Sequence, residues 1–167
     1  GVTAINTHDD KKGVVLVAKD GRNITVAADS ALTSDVTGLA AADKTYTGTY
    51  ELNTLDGRSI TVGSNVDGDL TMSGLNRGTY TADTAQSVTT ARAVATTAAP
   101  GELLGNTLVI NNIGIDAANA NDDTSSFVDD GTTTDAPGSV KKDSAIAIAA
   151  AINKISSLTG VTATAVP

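Results

Sequence analysis

The chain has 167 residues and contains no cysteine, no tryptophan and a single histidine. Each absence excludes something. Without cysteine there is no disulfide framework and no thiol chemistry. That suits a cytosolic protein and equally a bacterial surface protein stabilised by assembly. His8 alone cannot build a zinc site from several imidazoles, and no serine stands in a nucleophile pattern with it. Aromatic residues make up only 2 % of the chain: Phe127, Tyr46, Tyr50 and Tyr80. The core must therefore rest on Val, Ile, Leu and Ala. A fully buried large aliphatic contributes about 1.5–3 kcal/mol and Ala less, so modest stability per residue is expected. No apolar run approaches the roughly 20 residues that span a bilayer. Basic residues are also scarce, 11 Lys and Arg against 19 Asp and Glu, for a net charge of −8. Such a chain repels phosphate, which disfavours nucleic acid as a partner. Gly1-Val2-Thr3-Ala4 lacks a basic segment followed by an apolar one, and no initiator Met precedes it. The expectation is an excised or processed piece rather than a signal peptide.

What is present reads as β structure over the first two-thirds. Residues 13–18 are apolar and β-branched, Asp20-Gly21 is a turn dipeptide, and Asn23–Val26 alternates. This pattern predicts a hairpin. Thr49–Leu55, Asp56-Gly57 and Arg58–Val62 predict a second one. The two are related. Asp20-Gly21-Arg22-Asn23-Ile24-Thr25-Val26 matches Asp56-Gly57-Arg58-Ser59-Ile60-Thr61-Val62 with one difference, at an offset of 36 residues from Asp20 to Asp56. Thr37-Gly38-Leu39 echoes Ser73-Gly74-Leu75 at the same offset. Two copies are too few for a solenoid, so paired or stacked units are expected. Ser87–Ala91 reads as a further strand, and Pro100-Gly101 as the crossover to a second unit.

In that second unit, Thr107–Ile110 and Ile113–Ile115 flank Asn111-Asn112, and Asn tolerates the positive φ of a tight hairpin turn. Residues 119–138 read as an acidic surface loop anchored by Phe127-Val128. A helix is expected over 144–158. Asp143 or Ser144 would cap it, Ile148, Ala151, Ile152 and Ile155 would share one face, and Gly160 would end it. Val161–Val166 alternates as a closing strand.

Three of these segments carry a resemblance. Leu104–Ile115 (LGNTLVINNIGI), Asp143–Asn153 (DSAIAIAAAIN) and Thr159–Ala163 (TGVTA) are similar to the flagellin hook-IN motif. That motif comprises a β-hairpin, an Ala-Ala-Ile-Asn helix and a Thr-Gly-Val-Thr-Ala strand. The resemblance covers residues 103–166. It departs at Asn112, where the motif usually has Gly, and at the long acidic loop. Gly1-Val2-Thr3-Ala4 echoes Gly160-Val161-Thr162-Ala163. The segments around Asp20-Gly21-Arg22, Tyr46–Leu52 and Gly74–Tyr80 also resemble parts of flagellin.

The resemblance implies an outer, surface-exposed fragment of a bacterial flagellar filament subunit, extracellular and structural rather than enzymatic. It implies other flagellin subunits as partners in the full-length filament, host or antibody contacts, and O-glycosylation of exposed Ser or Thr. Neither a cofactor nor a metal, catalytic or cofactor-binding residue is implied, and no membrane or nucleic-acid partner. The terminal helices that polymerise the family are missing, so the isolated chain is expected to be monomeric.

The expected fold is α+β: mainly antiparallel β hairpins with one principal helix at about 144–158. Residues 1–12 and 101–167 would form the hook-IN-like unit, and 13–100 an inserted β subdomain with two related hairpins. The strand Thr49–Leu55 is expected at an exposed edge, with Glu51 and the Thr-rich faces blunting association there.

The alternative function is a carbohydrate- or host-binding adhesin module, for which Tyr46, Tyr50 and Tyr80 are the available stacking platforms. Asn65-Val66-Asp67-Gly68-Asp69 has the alternating oxygens of a calcium loop, but its twelfth position is Asn76 where the EF-hand needs Glu. Asp122-Asp123 and Asp129-Asp130 read as solvated acidic loops rather than cation sites.

Overall fold

In the computed structural model the described residues are 1–9, 13–26, 44–65, 70, 72–81, 87–90, 103–126 and 141–167. Of residues 87–90 only the backbone is described. The strands are β1 (Val2–Asn6), β2 (Val14–Ala18), β3 (Ile24–Val26), β4 (Lys44–Tyr46), β5 (Thr49–Thr54) and β6 (Ile60–Gly63). They continue as β7 (Gly78–Tyr80), β8 (Ser87–Thr90), β9 (Val109–Ile110), β10 (Ile113–Gly114) and β11 (Val161–Val166). Helix α1 (Ala145–Lys154) and the single turn α2 (Ser156–Thr159) precede β11. Among the described residues every ladder is antiparallel, in the orders β1-β2, β3-β4, β10-β9-β6-β7 and β11-β5-β8. The class is thus α+β, mostly β, with one main helix.

The segments of the second unit form for local reasons. Asn111 and Asn112 take φ of +50° and +67°, the left-handed pair that closes a two-residue hairpin, and Ile113 pairs with Ile110. Ser144, not Asp143, caps α1: its hydroxyl accepts from the Ala147 N–H at 3.1 Å. The expected single helix is interrupted at Ile155, whose N–H donates to Ile152 O at 3.3 Å in a tighter, i→i−3 turn. Gly160, at φ +70°, then ends α2 and directs the chain into β11.

Both predicted Asp-Gly hairpins are corrected. β2 pairs with β1 rather than β3, and β3 pairs with β4. Likewise β5 pairs with β8 and β11, whereas β6 pairs with β7 and β9. In each case the Asp carboxylate accepts from the backbone N–H of the Arg two residues on, at 3.4 Å for Asp20 and 3.1 Å for Asp56. That Asx-type turn redirects the chain instead of folding it back on itself. The expected exposed edge at Thr49–Leu55 is also corrected, because β5 is the central strand of its sheet.

One hydrophobic cluster joins the two sides of the expected boundary at residue 100. Tyr50, Leu52, Ile60 and Val62 pack with Leu103, Leu108, Ile110, Ile115, Ile148, Ile152 and Val161, all at most 2 % exposed. Two ladders cross the same boundary, β6 with β9 and β5 with β11. Contrary to expectation, residues 1–7 do not join the sheets of residues 101–167; β1 pairs with β2.

Candidate functional site

The repeat that failed as a pair of hairpins succeeds as a pair of corners. Each heptapeptide begins with an ion pair, Arg22 Nε to Asp20 Oδ2 at 2.9 Å and Arg58 Nε to Asp56 Oδ2 at 3.0 Å. Each has a left-handed glycine, Gly21 at φ +69° and Gly57 at φ +73°. Each continues as an Ile-Thr-Val strand against a strand ending in Thr-Tyr. Ile24 pairs with Tyr46 and Ile60 with Tyr80. The paired threonine hydroxyls meet at 3.1 Å for Thr25 and Thr45, and at 3.3 Å for Thr61 and Thr79.

Their surroundings differ. The first corner is docked on the second unit. A Cβ added to Gly21 would lie 2.8 Å from Ala165 Cβ and 3.0 Å from Val166 N, and one added to Gly48 would strike Gly21 O. Asn23 is buried, and its N–H donates to Ser126 Oγ at 2.9 Å. At the second corner nothing lies within 4 Å of a Cβ on Gly57. The Arg58 side chain is 86 % exposed against 25 % for Arg22. An open groove of about 450 Å³ lies there, lined by Asp56, Arg58, Thr61, Asn111, Leu158 and Gly160 among others. Leu55 and Leu158 are also largely exposed.

Electrostatics follow the packing. The Arg22 hydrogen bonds hold the Asp20 carboxyl well below its ordinary value of 3.8, at about 2. At Asp123 burial pushes the carboxyl up, but hydrogen bonding from Ser126 and Ser144 and from the Ser125 and Ser126 amides outweighs it, and the group is lowered. Its Oδ1 accepts from both amides at 2.9 Å. Asp123 Oδ1 thereby orders the turn that presents Ser126, whose hydroxyl receives the Asn23 amide of the first corner. This part of the expected surface loop is therefore structural: Asp123 is 1 % exposed, and Asp122 pairs with Lys154 at 2.6 Å.

Two asparagine carboxamides do work that the sequence pattern did not reveal. Asn111 Oδ1 accepts from Thr61 N at 2.8 Å, while its Nδ2 donates to Thr159 O at 2.8 Å. Asn153 Oδ1 accepts from Ala163 N at 2.8 Å, while its Nδ2 donates to Ala163 O at 2.9 Å. These residues hold hairpin, helix and exit strand together, and both fall in the Ile-Asn positions of the hook-IN resemblance. Their role depends on tertiary placement; the only sequence signal is Asn following Ile at each site.

Of the tyrosines considered for sugar stacking, Tyr50 is fully buried and its hydroxyl donates to Ser73 O at 2.5 Å. Tyr80 is half-buried and donates to Asn76 O at 2.9 Å, and Tyr46 lines a cavity of about 220 Å³ beside Leu16, Ala18 and Arg22. The three are thus not gathered into one exposed platform. His8 is exposed at φ +53°, its N–H bound to Asn6 Oδ1 at 2.9 Å. Residues 66–69 of the calcium-like segment, Asp129-Asp130 and Phe127-Val128 lie outside the described residues. Among the described residues no three His, Cys, Asp or Glu gather as a metal site, and no helix is long and apolar enough to cross a membrane. Compared with known proteins, the chain matches no family model, no curated protein and no solved structure.

Proposed function

We propose that this chain is a structural module from the outer, solvent-facing part of a bacterial flagellar filament subunit. The observation that carries the reading is the coincidence of the hook-IN resemblance with one physically integrated unit. The resembling residues form the β9–β10 hairpin, the Ser144-capped helix and the Gly160-initiated strand. The two Ile-Asn positions supply the carboxamides that bind these parts together. The role is passive. The module carries a net charge of −8, which favours solubility and sets the antigenic character of its surface. In this reading its partners are other subunits of the filament, and its place is extracellular.

The test is immunogold labelling of the producing bacterium with antibodies raised against the 167-residue chain. Regular labelling along the flagellar filament is the expected result. Labelling confined to the cell body, with bare filaments, would overturn the reading.

A further inference from the structure

β1 and β11 both follow from Gly-Val-Thr-Ala, at Gly1 and at Gly160. β2 and β5 each run into a copy of the heptapeptide. The two pairings share one register: Val2 faces Ala18 and Val161 faces Thr54, with Ala18 and Thr54 at the 36-residue offset of the repeat. They also share one hydrogen-bond phase. Thr7 N–H donates to Gly13 O at 3.2 Å, and Leu55 N–H donates to Gly160 O at 2.8 Å. Counting along each ladder from those bonds places Ala4 and Ala163 at non-hydrogen-bonded pairs, where N–H and C=O point away from the partner strand.

The surroundings are unlike. On β11, Val161 is 1 % exposed and Ala163 5 %, covered by α1 through Ile148 and Ile152. The outward N–H and C=O of Ala163 are both taken by Asn153. On β1, Val2 is 46 % exposed, Ala4 is exposed, and no described side chain takes the outward groups of Ala4. Leu16, the counterpart of the fully buried Leu52, is only half-buried. The reverse face of the ribbon is apolar as well, with Ile5 opposite Val15. An isolated two-stranded ribbon is marginal in water, and one whose outer strand β1 is exposed along its length, while β2 is half-buried, calls for cover on the β1 side.

We propose that the Val2–Ala4–Leu16 face of the β1–β2 ribbon is a docking surface for a partner helix with the chemistry of α1. That helix carries Ile at i and i+4, alanines between them, and Asn directly after the second Ile. Its carboxamide closes on the N–H and C=O of Ala4 as Asn153 closes on Ala163. The occupant is specified by the second copy of the same strand pair, and this inference stands apart from the filament reading. A second molecule of the chain does not supply the helix, because α1 of each copy is spent on its own core.

The probe is a synthetic peptide of residues 141–160 titrated into the full 167-residue chain and followed by amide chemical shifts. Saturable shifts centred on Ala4 and Leu16 are expected. Replacing Asn153→Leu in the peptide should weaken binding roughly tenfold, through loss of a two-bond bridge. As a second format, a further copy of residues 103–159 is fused ahead of Gly1. Once that copy has folded, as its added helical signal will show, exchange at the Ala4 amide should slow at least about tenfold, as for a newly bonded N–H. The proposal is overturned if neither format protects Ala4, or if Asn153→Leu binds as well as the parent peptide. Shifts confined to β5 and β11 would also overturn it. So would self-association without peptide that perturbs the same amides, since the occupant would then be a second copy.

Discussion

The two heptapeptides, at Asp20–Val26 and Asp56–Val62, are nearly identical in sequence and geometry, yet one is docked and the other is open. The same contrast separates the two Gly-Val-Thr-Ala strands, in the opposite sense: the strand beside the docked corner is bare, and the strand beside the open corner is covered. Local sequence therefore specifies the turn, the ion pair, the register and the strand partner type. Burial is decided by what packs on top, and among the described residues only the second unit carries a helix, α1, to do so. The strand pairs β1–β2 and β11–β5 are one local design in two packing states.

The largest effect expected from this comparison is in matched core truncations. Leu52→Ala empties a fully buried position and should cost about 2–5 kcal/mol, whereas Leu16→Ala, at the equivalent half-buried position, should cost roughly 1 kcal/mol. Urea denaturation of the two variants measures the difference. Equal losses would mean that β1–β2 is as well packed as β5–β11.

Next come the corner glycines. Both positions have positive φ, so Ala costs about 1 kcal/mol at either from backbone strain. Gly21→Ala also drives a methyl into Ala165 and Val166, adding about 1–3 kcal/mol of overpacking. Thermal unfolding should rank Gly21→Ala clearly below Gly57→Ala. If the two variants melt together, the first corner is not docked.

A smaller effect is expected at the carboxamide bridge. Asn153→Leu removes both bonds to Ala163 at a partly exposed site and should cost roughly 1–2 kcal/mol. The local signature should be faster exchange at the Ala163 amide, with β1–β2 unaffected.

The smallest effect is the acid titration of Asp20. Its folded pKa, about 2, lies below the ordinary 3.8. Its contribution to stability is thus complete above the ordinary carboxylate range and is lost as pH falls toward about 2. A partly exposed ion pair is worth only about 0–1 kcal/mol, so the clear readout is the carboxyl resonance rather than the melting point. Arg22→Gln should return its midpoint toward 3.8.

What was legible in the sequence shares one property: it depends on neighbours along the chain. The Asn111-Asn112 turn, the Ser144 cap, the Gly160 stop and the 36-residue repeat are all local signals, and each corresponds to a structural feature. The Asp-Gly dipeptides misled because the same residues serve a two-residue hairpin and an Asx corner. The choice rests on where the next strand finds its partner, Tyr46 for Ile24 and Tyr80 for Ile60. The expected boundary at residue 100 likewise took no account of the long-range ladders of β5 and β6. The roles of Asn111 and Asn153 were illegible for the same reason, since their partners at Thr61 and Ala163 lie on other elements.

Residue-resolved hydrogen exchange of the intact chain tests the central claim directly, by comparing the amides of Ala4 and Ala163. Both point out of the same register in the same phase, and among the described residues only Ala163 finds a partner, Asn153 at 2.8 Å beneath α1. The account predicts strong protection at Ala163 and near-intrinsic exchange at Ala4. Equal protection at the two amides would contradict it, because the two strand pairs would then be equally covered.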